Sequence, residues 1–277
     1  MLTSSASTMC GHVFNTRIPR VAEWFWDQFN RNKEFLHTNR KAMISYDFKH
    51  SFSYPIESHL YEYGPEFCAK ALEDMTRAQF SDKAIDTSNF GQYLRSVFGE
   101  KLYEHYFRPY NEKIWKHDLQ TIGVDWLDGK LPQPKVIDAV ISNIFRKEND
   151  TMAHATFFYP EVNGSQFLVD QLSIGLTINT LMAVHSISVD QNDIVVNGAY
   201  RCRQLIYTGD LRALTAQLSG VFITDRLRDA ITDLPSNSTS SALCKTGKLP
   251  YSWLYVPSQE YKFHHIIHTG SFSPTNN

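Results

Sequence analysis

Between Asn89 and Tyr106 the apolar side chains Phe90, Tyr93, Leu94, Val97, Phe98, Leu102 and Tyr106 recur at steps of three and four residues. That period is one stripe of an α-helix, and a stripe so continuous needs other structure to cover it. The middle of the chain is thereby committed to packed helices. Val21, Trp24, Phe25 and Phe29 mark a shorter amphipathic helix over Val21 to Asn30, with Pro19 just ahead where a helix can begin. Pro65 opens another that reaches about Phe80. Lys135 to Arg146, carrying Val136, Ile137, Val140, Ile141, Ile144 and Phe145, is a fourth, approached through Pro132 and Pro134. Ala42 to Tyr63 mixes aromatic and polar residues around Tyr54-Pro55 and reads as extended chain, because proline disfavours helix at the residue before it.

Past residue 150 the pattern shifts towards strands. Thr156 to Tyr159 reads as a strand and Gly164 to Leu176 as a helix. Met182 to Val189 alternates up to Gln191-Asn192-Asp193, where a hairpin turns back into Ile194 to Asn197. Leu205 to Thr208, apolar and then Thr208-Gly209, has the pattern of a buried strand that ends in a tight turn at a cofactor edge. Phe263 to His268 reads as one more strand, followed at once by Thr269-Gly270, and Ser236 to Ser241 reads as a surface loop. Helices first and strands later predict an α/β chain with α+β character.

A length of 277 residues, 42% of them hydrophobic, is enough to bury one large core or two modest ones. With 27 basic against 29 acidic residues the formal charge is -2, which removes any global field for nucleic acid or anionic lipid. An anionic ligand has to be met locally. Cys10, Cys68, Cys202 and Cys244 stand far apart, without the close pairs of zinc sites or redox dithiols, and read as reduced thiols of a cytoplasmic protein. Met1 to Cys10 lacks the basic start and apolar core of a signal peptide, and no run of about 18 apolar residues occurs. Neither a membrane, a nucleic acid nor a metal is expected as a partner.

Four short motifs occur in a telling order: Cys10-Gly11-His12-Val13, Tyr110-Asn111-Glu112-Lys113-Ile114-Trp115, Tyr159-Pro160-Glu161-Val162-Asn163-Gly164 and Tyr207-Thr208-Gly209-Asp210. In that order and spacing the chain resembles UDP-galactopyranose mutase and its relatives among the flavoproteins that include amine and protoporphyrinogen oxidases. In that family a Gly-Gly-His motif lies against the flavin, and Cys10 replaces one glycine here. The Tyr-Thr-x-Lys-x-Trp motif matches Tyr110, Lys113 and Trp115. A Tyr-Pro-x-x-Gly-Gly segment matches 159–164 with Asn163 in place of a glycine. Lys130-Leu131-Pro132 is similar to an Arg-Ile-Pro segment, but the arginine that follows it in the mutases is Pro134 or its neighbour here.

The resemblance implies an incomplete FAD-binding Rossmann-like sheet with a helix-rich substrate domain inserted. The expected parts are a remnant of the FAD-binding domain over 1–60, the helical substrate domain over 61–150, and a mixed region over 151–277 that returns to the sheet. It implies FAD as cofactor, held by Gly11, His12, Gly164, Thr208 and Gly209, where glycine permits close backbone approach. It implies a nucleotide-sugar substrate met by Arg108, Tyr110, Lys113, Trp115 and Lys130, with aromatic faces for uridine or sugar and cations for phosphate. No catalytic residue is singled out. The implied activity is that of a flavin-dependent mutase or oxidoreductase in cell-surface polysaccharide synthesis. An amine- or protoporphyrinogen-oxidising relative and a non-catalytic remnant are the alternatives. The chain has no Gly-x-Gly-x-x-Gly turn, and the further helical stretch that contacts the flavin in the relatives is also missing. Weak or no FAD binding by this polypeptide alone is therefore expected, or a separately encoded FAD-binding portion.

Overall fold

The structure is a computed structural model, and it describes residues 12–81, 84–127, 133–146, 155–219 and 223–276. Two compact units are present, Met1–Leu172 with Ser240–Asn277, and Ser173–Thr239. These units follow spatial contact rather than chain order, so 151–277 is divided between them.

The first unit opens with α1 (Pro19–Gln28), α2 (Arg31–Glu34) and β1 (Phe35–Asn39). Pro19 stands in the first turn of α1, where its missing N–H costs nothing. Phe25, Phe29 and Phe35 form a small aromatic core beneath it. Then come β2 (Ala42–Ile44) and β3 (Phe52–Ser53). The extended reading of 42–63 holds only for these strands. After the cis Tyr54-Pro55 bond the chain coils into 3-10 turns at Ile56–Ser58 and Leu60–Tyr63, with fully buried Ile56 and Leu60 drawn into the core.

The helical layer follows as α3 (Pro65–Gln79) and α4 (Phe90–Leu102). The apolar stripe of α4 is buried, as its period predicts: Phe90, Tyr93, Leu94, Val97, Phe98 and Leu102 all lie in the main core with Ala71 and Met75 of α3. The single helix expected up to Tyr106 is interrupted. Gly99 takes φ +77, and a Cβ there would stand 2.6 Å from the backbone of Asp74, so the break lets α3 and α4 touch through backbone. The chain continues through a π-turn, Tyr103–Phe107, into α5 (Arg108–Trp115), which ends on Lys116 in the left-handed region. Next is α6 (Val136–Phe145), anchored by Gln79, whose side chain accepts from the Val136 N–H and donates to the Pro134 carbonyl.

β4 (Thr156–Pro160) pairs antiparallel with β1, and α7 (Gln166–Leu172) follows it. The helix expected from Gly164 starts later because Asn163 and Gly164 both adopt positive φ and form a turn. The C-terminal part of the unit returns to the sheet. β8 (Trp253–Tyr255) runs parallel to β2, and β9 (His265–Ile267) pairs antiparallel with β8, giving the order β3-β2-β8-β9.

The second unit contains the antiparallel meander β5 (Ile187–Asp190), β6 (Asp193–Val196) and β7 (Tyr200–Cys202), then α8 (Leu211–Gln217) and α9 (Asp225–Thr232). The expected hairpin forms at its expected turn. The strand expected over 205–208 does not form. Leu205 and Ile206 find no strand to pair with and Ile206 is 89% exposed. The local bonds serve the next helix instead: Tyr207 Oη donates to the Asp210 carbonyl, and Asp210 caps α8 by accepting from the Arg212 N–H. A short apolar run of this kind does not distinguish a strand from coil by periodicity.

Candidate functional site

The side chains with most chemical potential gather in the first unit where α5 faces β8 and β9. Tyr106, Tyr110 and Lys113 fall four and three residues apart and so share one helix face. Tyr106 and Tyr110 stack at 5.5 Å, and Tyr110 meets Tyr255 edge-on at 5.4 Å. Tyr54, held at the cis bond, lies 4.8 Å from Tyr255. Alternation along β8 puts Trp253 and Tyr255 on one face, and the Arg40 guanidinium lies over both, 4.7 Å and 5.7 Å from the ring centres. Arg40 Nη2 also donates to Tyr255 Oη.

The electrostatics of this cluster are one-sided. Burial pushes the Tyr54, Tyr110 and Tyr255 hydroxyls up, with Arg40 opposing the rise in each case. All three remain protonated donors at neutral pH. At the start of β9, His265 and the preceding His264 stand Nδ1 to Nδ1 at 2.6 Å. Burial, then His264 and Arg40, push His265 down to about 4, so it is neutral at pH 7. A guanidinium bonded to one phenol, with two more tyrosines packed on that ring, presents a fork for oxyanions in a cluster of neutral O–H donors.

The residues expected to meet substrate are distributed over several places. Tyr110 belongs to the cluster. Lys113 is buried next to it but donates to the Val256 and Ser258 carbonyls at 2.8 and 2.6 Å, tying α5 to the chain beyond β8. Burial holds its ammonium below the ordinary lysine range. Arg108 lies on the opposite side of α5. There it pairs with Glu104 and Glu112 in an open cleft of about 560 Å³ that Arg95, Tyr103 and Lys116 also line. Trp115 packs with Trp126 at 5.1 Å and with Phe90 at 6.4 Å. Lys130 lies outside the described residues. Arg40, Tyr54, Tyr106, Tyr255 and the histidine pair carry no motif that singles them out in the sequence. Each is placed by its strand or turn, and only the pairing of β2 with β8 brings Arg40 to Tyr255.

For the cofactor, His12 and Gly164 come together: Ser165 Oγ donates to the His12 carbonyl at 3.2 Å, and Gly164 is buried at φ +53. Gly11 lies outside the described residues. Thr208 and Gly209 belong to exposed coil, and the missing strand over 205–208 removes the strand-end turn against which a dinucleotide would rest. A Cβ on Gly209 would meet the Tyr207 ring at 2.8 Å, so that glycine serves its own loop. The described residues therefore do not assemble a flavin cradle at Thr208-Gly209. Among the described residues no group of His, Cys, Asp or Glu could hold a metal ion, and no helix is long and apolar enough to cross a membrane.

The fold is of the α/β class, a small mixed sheet carrying a helical layer, and it is the fold of UDP-galactopyranose mutase. A crystal structure of reduced UDP-galactopyranose mutase matches 96% of this chain at TM-score 0.76 and 16% identity. The chain spans 60% of the length of that mutase. A CLA-producing fatty acid isomerase from P. acnes matches 80% of this chain and 51% of its own at TM-score 0.44 and 9% identity, a likeness too slight to carry weight. No family model matches the sequence, and no curated protein matches it.

Proposed function

We propose that this chain binds a nucleotide sugar of the kind named for the mutase it resembles in fold, a UDP-hexose. The carrying observation is Arg40, which lies over the Trp253 and Tyr255 rings and donates to the Tyr255 hydroxyl, with the Tyr54 and Tyr110 rings packed on Tyr255. A diphosphate needs charge neutralised at one point and hydrogen bonds supplied around it, and a half-buried guanidinium with protonated phenols supplies both. The stacked rings of Tyr106 and Tyr110 add an aromatic wall for the base or sugar. Lys113 serves this site at one remove, by fixing the 256–258 segment that follows Tyr255. The sequence resemblance extends the reading to a mutase-like flavoprotein of polysaccharide synthesis. FAD binding by this chain alone is expected to be weak or absent, because Thr208-Gly209 is not shaped as a cofactor turn. The idea of a separately encoded FAD-binding portion gains no support from the fold.

Calorimetric titration of the full chain with UDP, UDP-galactopyranose and uridine tests the reading. UDP and the sugar nucleotide should bind and uridine should bind much more weakly, since the diphosphate is the anchor. Arg40→Met should weaken UDP by roughly tenfold or more, the usual scale for a lost charge-assisted hydrogen bond. Trp115→Ala should lower thermal stability and leave UDP affinity unchanged. Equal affinity for UDP in the parent and Arg40→Met proteins sinks the proposal.

A further inference from the structure

The contact between His264 and His265 fixes where their protons can sit. With the Nδ1 atoms 2.6 Å apart, one ring carries N–H there and the other a lone pair, since two N–H groups or two lone pairs would repel. The accepting ring then keeps its hydrogen on Nε2, and the donating ring is left with a bare lone pair on its own Nε2. One further proton can be added at that bare Nε2 with the Nδ1 bond intact. A second would have to displace the bond.

His265 is the ring that shares the Arg40 face. It stands opposite Tyr255 in the antiparallel register of β8 with β9, and residues so paired project from the same side of a sheet. On that side the Arg40 guanidinium lies over Trp253 and Tyr255. His264 lies 6.3 Å from the Tyr110 ring of α5. Beyond burial, the charges acting on His264 are Lys113 and Lys116 of α5 and its end, and those acting on His265 are His264 and Arg40. The remaining neighbours in the cluster are phenols, and the Glu57 carboxyl bears on Tyr54 but on neither imidazole. Among the described residues the pair therefore stands in a field of cations, which with burial holds both rings neutral. An oxyanion seated at the Arg40 fork reverses that field at His265.

On the nucleotide-sugar reading of this site, we propose that His265, donating through Nδ1 to His264, takes up one proton at Nε2 when the diphosphate binds at Arg40. The proton comes from solvent, and the imidazolium becomes a second charged donor beside the guanidinium. An opposite charge in reach of a titrating group shifts it by roughly 1 to 3 pH units. That carries His265 from about 4 in the empty site to between about 5 and 7 in the complex. The bound state then holds a proton that the empty state lacks, so affinity is flat at high pH and rises as pH falls through the bound value.

Calorimetric titration of the full chain with UDP-galactopyranose tests this, because both phosphates of that ligand keep a fixed charge over the range used and any proton gained belongs to the protein. Between about pH 8 and about pH 5 the affinity should rise roughly tenfold. Near the acid end, two buffers of very different ionisation heat should give different binding enthalpies, the difference reporting uptake that approaches one proton. Histidine-labelled nitrogen spectra should show one additional doubly protonated ring in the complex. His265→Gln, which offers an amide N–H that cannot titrate, should bind with the same affinity at both ends of the range and with no dependence on buffer. Binding by the parent chain that is indifferent to pH and buffer overturns the proton uptake and leaves the nucleotide-sugar reading standing. Uptake undiminished in His265→Gln places the proton on another group and overturns it as well. Absence of binding at every pH overturns both readings together.

Discussion

Glu57 shows how much one side chain is governed by where it is put. It sits in the 3-10 turn after the cis Tyr54-Pro55 bond, 6% exposed, and burial raises its carboxyl from 4.5 to about 7. The folded state therefore keeps a proton there that the unfolded chain releases. The stabilisation from that proton is fully present below the unfolded value of 4.5 and is lost as pH rises through about 7. Glu57→Gln keeps the shape and removes the titration, so its melting temperature should gain on the parent protein between pH 4.5 and 8. The gap at pH 8 should correspond to a few kcal/mol, on the scale of 1.4 per pH unit. A pH-independent gap in differential scanning calorimetry would refute it. His105 and His265, both pushed down to about 4 chiefly by burial, act in the opposite sense: stability falls as pH drops from the ordinary histidine range towards 4. That slope is common to both proteins and cancels in the difference. Nothing in the letters around Glu57 announces its burial. Tyr110 and Lys113 were legible as a pair from their spacing, but the Val256 and Ser258 carbonyls that Lys113 serves lie 143 and 145 residues away in the chain.

Among the elements, the helices were the most readable, since α1, α3, α4 and α6 all begin within a residue or two of their proline or periodic signals. Their faces were less so. The stripe of α4 is buried, whereas of the apolar positions of α6 Val136 and Val140 face the core and Ile137, Ile141, Ile144 and Phe145 are exposed, because burial depends on what stands opposite. The break at Gly99 was equally hidden: the stripe runs through it without a pause. Its cause is the close approach of α3, and that supplies a test. Gly99→Ala combines positive φ with a contact 2.6 to 2.8 Å from Asp74 and Met75, and should destabilise the protein by roughly 3 kcal/mol or more in urea unfolding. A loss under about 1 kcal/mol would mean that α3 and α4 can separate at this crossing at little cost. Strands were read correctly where alternation met a turn, as in β5 and β6, and misread at 205–208, where a run of three apolar residues had no neighbour to pair with.

For the molecule as a whole, the two units differ in how well each is packed. The first holds the large core around α3, α4 and α5. Among its described residues, Ser173–Thr239 buries only Ile187, Val195 and Ile231 of the large apolar ones and leaves Ile174, Leu176, Ile178 and Leu181 exposed. Local opening is easiest where few apolar contacts resist it. Brief trypsin treatment followed by mass spectrometry should therefore find cuts after Arg203, Arg226 and Arg228 before any after Arg40 or Lys113, and the reverse order would contradict this reading. Within such a unit, a strand end able to receive a dinucleotide was not attainable by local sequence alone. By itself the sequence determined the α/β class, the positions of the main helices, the 191–193 hairpin turn and the likeness to the mutase fold, because periodicity, proline placement and motif order are local properties. The tertiary structure alone decided that Arg40 meets Tyr255, that Glu57 is buried, that Lys113 binds carbonyls and that α6 turns Ile137, Ile141, Ile144 and Phe145 outward. Each of these depends on which distant segment packs alongside, through the parallel pairing of β2 with β8 and the hydrogen bonds of Asn143 that fix the rotation of α6.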